Sequence, residues 1–119
     1  MTSTTTADAS AHAIAQIRKA NDAYRRGFQP NGKRTITKGI LGLSSEDRAA
    51  ILEKVRTFDA FTEENDSHGE HDFGCIEHAG QRIFWKIDCY DAGSLVGTRE
   101  PIDSRKVSRV LTIMLADEY

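Results

Sequence analysis

His71-Asp72-Phe73-Gly74-Cys75-Ile76-Glu77, then His78-Ala79-Gly80-Gln81, then Arg82-Ile83-Phe84-Trp85-Lys86-Ile87-Asp88-Cys89-Tyr90 is the stretch that decides the fold. Two runs rich in β-branched and aromatic residues flank a short segment with a glycine, the pattern of a β-hairpin. Closed symmetrically, the turn sets Phe73 opposite Lys86, Cys75 opposite Phe84, Glu77 opposite Arg82 and His71 opposite Asp88. Ile76, Ile83, Trp85 and Ile87 then share one face, the core side, where Gly74 makes room for Trp85. The other face collects His71, Lys86, Asp88 and Tyr90. A register shifted by one residue would break the His71–Asp88 pair.

Helical spacing dominates on either side of this hairpin. Ile14, Ile17, Ala20 or Asn21, and Tyr24 recur along one stripe, predicting a helix over about 10–27 that Ser10 caps and Gly27 stops. Arg18, Lys19, Arg25 and Arg26 fall on its other faces. Residues 29–32 make a turn, and Arg34–Lys38 reads as a short β-branched strand. Gly39, Gly42 and the serines that follow break the chain. Ser44 or Ser45 then caps a helix over about 45–57 with Ile51, Leu52, Val55 and Phe58 as its stripe; Ser44 and Asp47 resemble a capping box. Residues 58–61 are a brief strand or the helix exit, and 62–69 an acidic loop. Residues 91–101 are a loop as well. Asp103 or Ser104 caps a third helix over about 104–116, with Val107, Val110, Leu111, Met114 and Leu115 inward. The expected fold is α+β, a small antiparallel sheet centred on the hairpin at about 71–90 and flanked by these three helices.

Bulk properties narrow the function classes. The chain has 119 residues, the size of one domain. That domain is expected over 10–119, after a disordered tail at 1–9. No apolar run approaches the roughly 20 residues of a membrane span, and the Thr-rich start lacks the pattern of a secretory signal. Cys75 and Cys89 form no C-x-x-C pair. They read as small buried hydrophobes in a reducing, cytoplasmic setting. Charge is segregated: residues 1–56 hold ten Lys/Arg against five Asp/Glu, and residues 57–103 hold three against eleven. Glu63, Glu64, Asp66, Glu70, Asp72 and Asp91 are therefore candidates for an acidic surface that meets a basic protein partner.

Chemistry has three candidate readings around the hairpin. A carboxylate beside an imidazole supports a general base, so His71 and Asp88, with Lys86 nearby, are candidate catalytic residues. The same pair can equally be a salt-bridged strand face. His68, His71 and Asp72 are weak candidates for metal ligation, with no strong spacing signature and no cofactor implied. A nuclease site would want a second acid two residues before Lys86, where Phe84 stands. No phosphate loop or nucleophile motif is present. The basic first helix allows contact with nucleic acid, without a recognised binding motif beside it.

Three strings together resemble a known family: Asn65-Asp66 with Glu70-His71-Asp72-Phe73-Gly74, Phe84-Trp85-Lys86-Ile87-Asp88, and Arg109–Ala116 with Glu118-Tyr119. The family is a domain of unknown function among small bacterial proteins of proteobacterial chromosomes and plasmids. The resemblance runs from Asn21-Asp22 to Tyr119. Two positions depart from the family's pattern: Cys89 replaces the first tyrosine of Lys-Ile-Asp-Tyr-Tyr-Asp, and Ser67 stands where a proline follows Asn-Asp. The resemblance implies a bacterial, cytoplasmic accessory protein associated with mobile elements, and no activity. The expectation is a protein that binds a host protein through its acidic surface, with an inhibitor of a host defence or nucleic-acid-processing protein as one form of it. A small His/Asp-based or metal-dependent hydrolase or nuclease at 66–91 is the alternative, and a nucleic-acid-binding regulator the third.

Overall fold

A computed structural model describes residues 6–27, 32–91 and 107–119. Their order is α1 (Thr6–Arg25), β1 (Gly32–Ile36), α2 (Lys38–Leu41), α3 (Ser45–Arg56), β2 (Phe73–His78), β3 (Gln81–Asp91) and β4 (Val107–Leu115), closed by a 3-10 turn at Ala116–Glu118. The class is α+β, as expected. The first helix starts at Thr6, ahead of its expected start; residues 1–5 of the expected tail lie outside the described residues.

The hairpin forms in the expected register, with Phe73 opposite Lys86, Cys75 opposite Phe84 and Glu77 opposite Arg82. Ala79 and Gly80 both take positive φ, 52° and 78°, as a two-residue turn of matching twist requires. Ile83 and Trp85 are fully buried, and Ile76 and Ile87 nearly so. Gly74 lies against the indole of Trp85, and a Cβ there would collide with it.

Residues 107–115 are the main correction. The expected third helix over 104–116 is strand β4 across its described part; residues 104–106 lie outside the described residues. A nearly continuous apolar run satisfies both the 3.6 and the 2.0 periods, so spacing alone does not separate them. Val107, Val110, Thr112 and Ile113 are β-branched and fit a pleated surface. The alternation of Arg109, Leu111 and Ile113, all buried, is that of a strand whose one face meets the core. β4 lies inside the sheet, whose order is β1-β4-β3-β2. It pairs antiparallel with β3 and parallel with β1, which makes the sheet mixed where an antiparallel one was expected.

Packing sorts the two sheet faces. Ile51 and Val55 of α3, Tyr24 of α1 and Ile40 of α2 join Ile76, Ile83, Trp85, Ile87, Leu111 and Ile113 in one core. α3 begins as expected, with Ser44 Oγ accepting from Asp47 N at 3.1 Å. The Asp47 carboxylate does not close a capping box. It accepts from His78 Nε2 at 2.9 Å and so ties α3 to the hairpin tip. Residues 58–61 form no strand; Phe58 and Phe61 pack edge-on against Trp85 and roof the core. The opposite face carries Phe73, Phe84 and Tyr119, whose rings pack together.

Candidate recognition site

The chain between α3 and β2 has almost no regular structure, yet its polar groups are satisfied locally. Thr62 N donates to Asn65 Oδ1 at 2.8 Å and Asn65 Nδ2 donates to the Ala60 carbonyl at 2.9 Å. Asp66 N returns to the Thr62 carbonyl, and Gly69 N to that of Asp66. Asn, Asp, Thr and Gly are the residues whose side chains and backbone make such turns. α1 then fastens the loop from outside. Arg18 Nε donates to the Gly69 carbonyl at 2.7 Å, and Asn21 Nδ2 to that of Glu70 at 2.9 Å.

His71 closes the loop. Its φ is 55°, uncommon for a residue with a side chain. The conformation is held by four contacts. His71 N donates to Asp66 Oδ1 at 3.2 Å. Nδ1 lies 2.9 and 3.0 Å from the two oxygens of Asp22, and Nε2 lies 3.5 Å from Asp66 Oδ2. The ring stacks on Phe61, with centroids 3.6 Å apart and planes 4° from parallel. A neutral imidazole donates from one nitrogen only, so two acids flank a single ring proton unless the ring carries a second.

Behind His71, Arg25 is buried to 1% exposure. Its Nη1 donates to the carbonyls of Val55, Arg56 and Phe58, and its Nη2 to Asp22 Oδ1 at 2.9 Å. The guanidinium also lies over the rings of Trp85 and Phe61, at 5.1 and 5.5 Å. Val55 and Arg56 are the last residues of α3 and Phe58 follows its C-cap, so Arg25 closes the end of that helix from a different element.

At the other side of α1, Arg109 of β4 is equally buried, and its Nε donates to Asn21 Oδ1 at 2.7 Å. Its Nη2 is buried without a hydrogen-bond partner. Cys89, its cross-strand neighbour, is a free thiol pushed up by burial, with Arg109 opposing that shift. Burial likewise raises the carboxyl groups of Glu70 and Asp72 above their ordinary range, and neighbouring acids raise them further.

The structure places the expected site residues as follows. His71 and Asp88 do not pair: the chain leaves the ladder before Phe73, and His71 turns to Asp22 and Asp66. Asp88 instead lies 3.3 Å from Lys86, its neighbour on the face opposite the core, where both are about 40% exposed. The candidate catalytic trio is therefore divided. Among the described residues no group of three or more His, Cys, Asp or Glu converges on a metal position, and His68 is exposed. Of the acidic candidates, Glu63 and Glu64 are exposed, whereas Asp66 is turned inward with 6% side-chain exposure. Glu70 and Asp72 are half-buried, and the Asp91 side chain lies outside the described residues. Both cysteines are half-buried, not fully buried as expected.

Asn21, Asp22, Arg25 and Arg109 organise the site, and the sequence reading did not single them out. One signal was available: the stripe Ile14, Ile17, Asn21, Tyr24 places an asparagine on the buried face of α1, and a buried amide needs partners. No helix among the described residues is long and apolar enough to cross a membrane. No curated protein and no solved structure matches the chain. Residues 36–118, which include the loop, the hairpin and β4, match the family described as "Protein of unknown function (DUF3768)", and the chain belongs to that family.

Proposed function

We propose that this protein is a binding protein whose acidic loop, residues 59–70, recognises a basic surface on another protein. The observation that carries the reading is the construction of that loop. Its turns are bonded internally and pinned to α1 at Gly69, Glu70 and His71, while Glu63 and Glu64 stay in solvent. A loop ordered before binding loses little conformational entropy on docking, and its outward charges steer a basic partner. Long loops of this kind, held compactly on a rigid scaffold, commonly carry function. The likeness to bacterial accessory proteins of mobile elements points to a host protein as the partner. One that handles nucleic acid has the required basic surface, and covering it would inhibit that protein.

The hydrolase reading is less well supported, because Asp88 and Lys86 pair with each other while both ring nitrogens of His71 face other acids.

The test is capture of a partner from host lysate at low and high salt, with Glu63→Lys/Glu64→Lys as control, followed by affinity measurement with the purified pair. A partner lost at high salt and lost by the reversed variant supports the reading. A partner held equally by both proteins, or an empty capture at low salt, overturns it.

A further inference from the structure

We propose that the outward face of α1 is a binding site for the phosphodiester backbone of a nucleic acid. The inference stands apart from the acidic-loop reading in charge and in its test, since Lys19 and Arg26 make no bond to that loop among the described residues, while Arg18 and Asp22 touch it. A trough of about 410 Å³ runs along this face, lined by Ala15, Arg18, Lys19, Asp22, Ala23 and Arg26. The two alanines leave its floor open, and the long cationic side chains form its walls. Arg18, Lys19 and Arg26 make no salt bridge with a described residue. Arg18 is held in place by its Nε bond to the Gly69 carbonyl, so its guanidinium is positioned before any ligand arrives.

Among the described lining residues Asp22 is the one acid. Its Oδ1 bonds Arg25 and His71 and its Oδ2 faces His71, so its charge is already opposed within the protein. The trough is left cationic in a chain whose net charge is −2. Its length selects the ligand. Arg18 and Arg26 are eight residues apart, about 12 Å along a helix axis. Phosphates of one strand follow each other about every 3.4 Å along a duplex, so a strand reaches all three cations where a single phosphate reaches one or two. Guanidinium and ammonium groups bind phosphate oxygens without reading bases, so sequence preference is not expected.

The test is fluorescence anisotropy of a labelled mixed-sequence DNA duplex and of the matching single strand, titrated with the full chain at low salt. Expected is a Kd in the range of roughly 10⁻⁴ to 10⁻⁶ M for at least one of them, with the association constant falling with salt at a log–log slope of about −2 to −3, as three phosphate contacts give. Lys19→Glu/Arg26→Glu, both at exposed positions, should weaken it about tenfold or more while the circular dichroism melt stays unchanged. Absence of binding up to about 1 mM protein, well above the non-specific range, overturns the proposal. So does binding that the double variant leaves intact. Two competitors separate the other sources. Polyglutamate displacing DNA at equal charge would assign the trough to an acidic protein, and inorganic phosphate doing so at equal phosphate would assign it to a free anion; either also overturns the proposal.

Discussion

Arg25, the last residue of α1, and Arg109 of β4 are both buried to 1% exposure, one facing α3 and the other facing α1 from the sheet. Arg25 meets three carbonyls, a carboxylate and two aromatic faces. Among the described residues Arg109 has one side-chain acceptor; each guanidinium keeps one buried nitrogen without a partner, Nε in Arg25 and Nη2 in Arg109. The first guanidinium faces a carboxylate; among the described residues the second faces only an amide oxygen. The acids differ in the same way. Asp22, beside Arg25, accepts from two cationic-capable groups, whereas Glu70 and Asp72, near Cys89 on the Arg109 side, are raised by burial and by neighbouring acids. The Arg25 side of the last turns of α1 is therefore built for stability, while the Arg109 side carries desolvated groups of the kind that cluster where proteins bind or react.

Removing the charge that faces a carboxylate should cost most. Arg25→Met removes the donor shared by the Val55, Arg56 and Phe58 carbonyls and the buried cation opposite Asp22, and a loss of about 3–5 kcal/mol is expected in urea unfolding. Arg25→Lys should fall close to it, because a point charge cannot reach three carbonyls and stack on two rings. A loss under about 1 kcal/mol for Arg25→Met would show that the two arginines are alike after all.

Arg109→Met should cost less, about 1–2 kcal/mol, since one side-chain hydrogen bond is lost and an unpartnered Nη2 disappears with it. The Asn21 Oδ1 left without its donor accounts for much of that cost, while Nδ2 keeps its bond to the Glu70 carbonyl. Asn21→Leu combined with Arg109→Met should accordingly be less damaging than the sum of the single changes, and a double-mutant cycle measures the difference. Additive losses would mean that the two side chains act independently.

The acids give a pH test of the same contrast. Glu70 and Asp72 have folded-state pKa values raised above their unfolded ones. Such a group favours the fold when protonated, and that contribution is lost as pH rises through the raised value. Asp72→Asn should therefore raise the melting temperature at neutral pH. Its advantage should shrink as pH falls into the ordinary carboxylate range, where the wild-type acid is itself neutral. An advantage that does not change with pH would place the effect in packing and not in charge.

The smallest effect is expected on the sheet's other face. Lys86 and Asp88 pair across solvent at about 40% exposure, and Lys86→Ala should change stability by no more than about 0.5 kcal/mol. Loss of a catalytic activity in that folded variant would restore the hydrolase reading.

Local patterns account for what was legible in advance. The hairpin, its register and the seat of Trp85 over Gly74 follow from a two-residue turn and strict alternation, which involve neighbours in sequence. The start of α3 at Ser44 likewise needs only its first turn. The acidic bias of residues 57–103 was visible too, but burial divides it: Glu63 and Glu64 face out while Asp66 faces in, and composition is blind to that difference.

Tertiary structure alone decided the rest. Residues 107–115 become a strand because β1 and β3 offer hydrogen bonds on both sides, an advantage that no local propensity contains. His71 turns from Asp88 to Asp22 because a positive φ ends the ladder one residue short of it, and because α1 brings an acid from far along the chain. Arg25, one of four cations on an apparently solvated helix, becomes the buried cap of α3 for the same reason. Sequence specifies contacts between near neighbours; which polar groups lose water together depends on how the elements pack, and that packing set the candidate site.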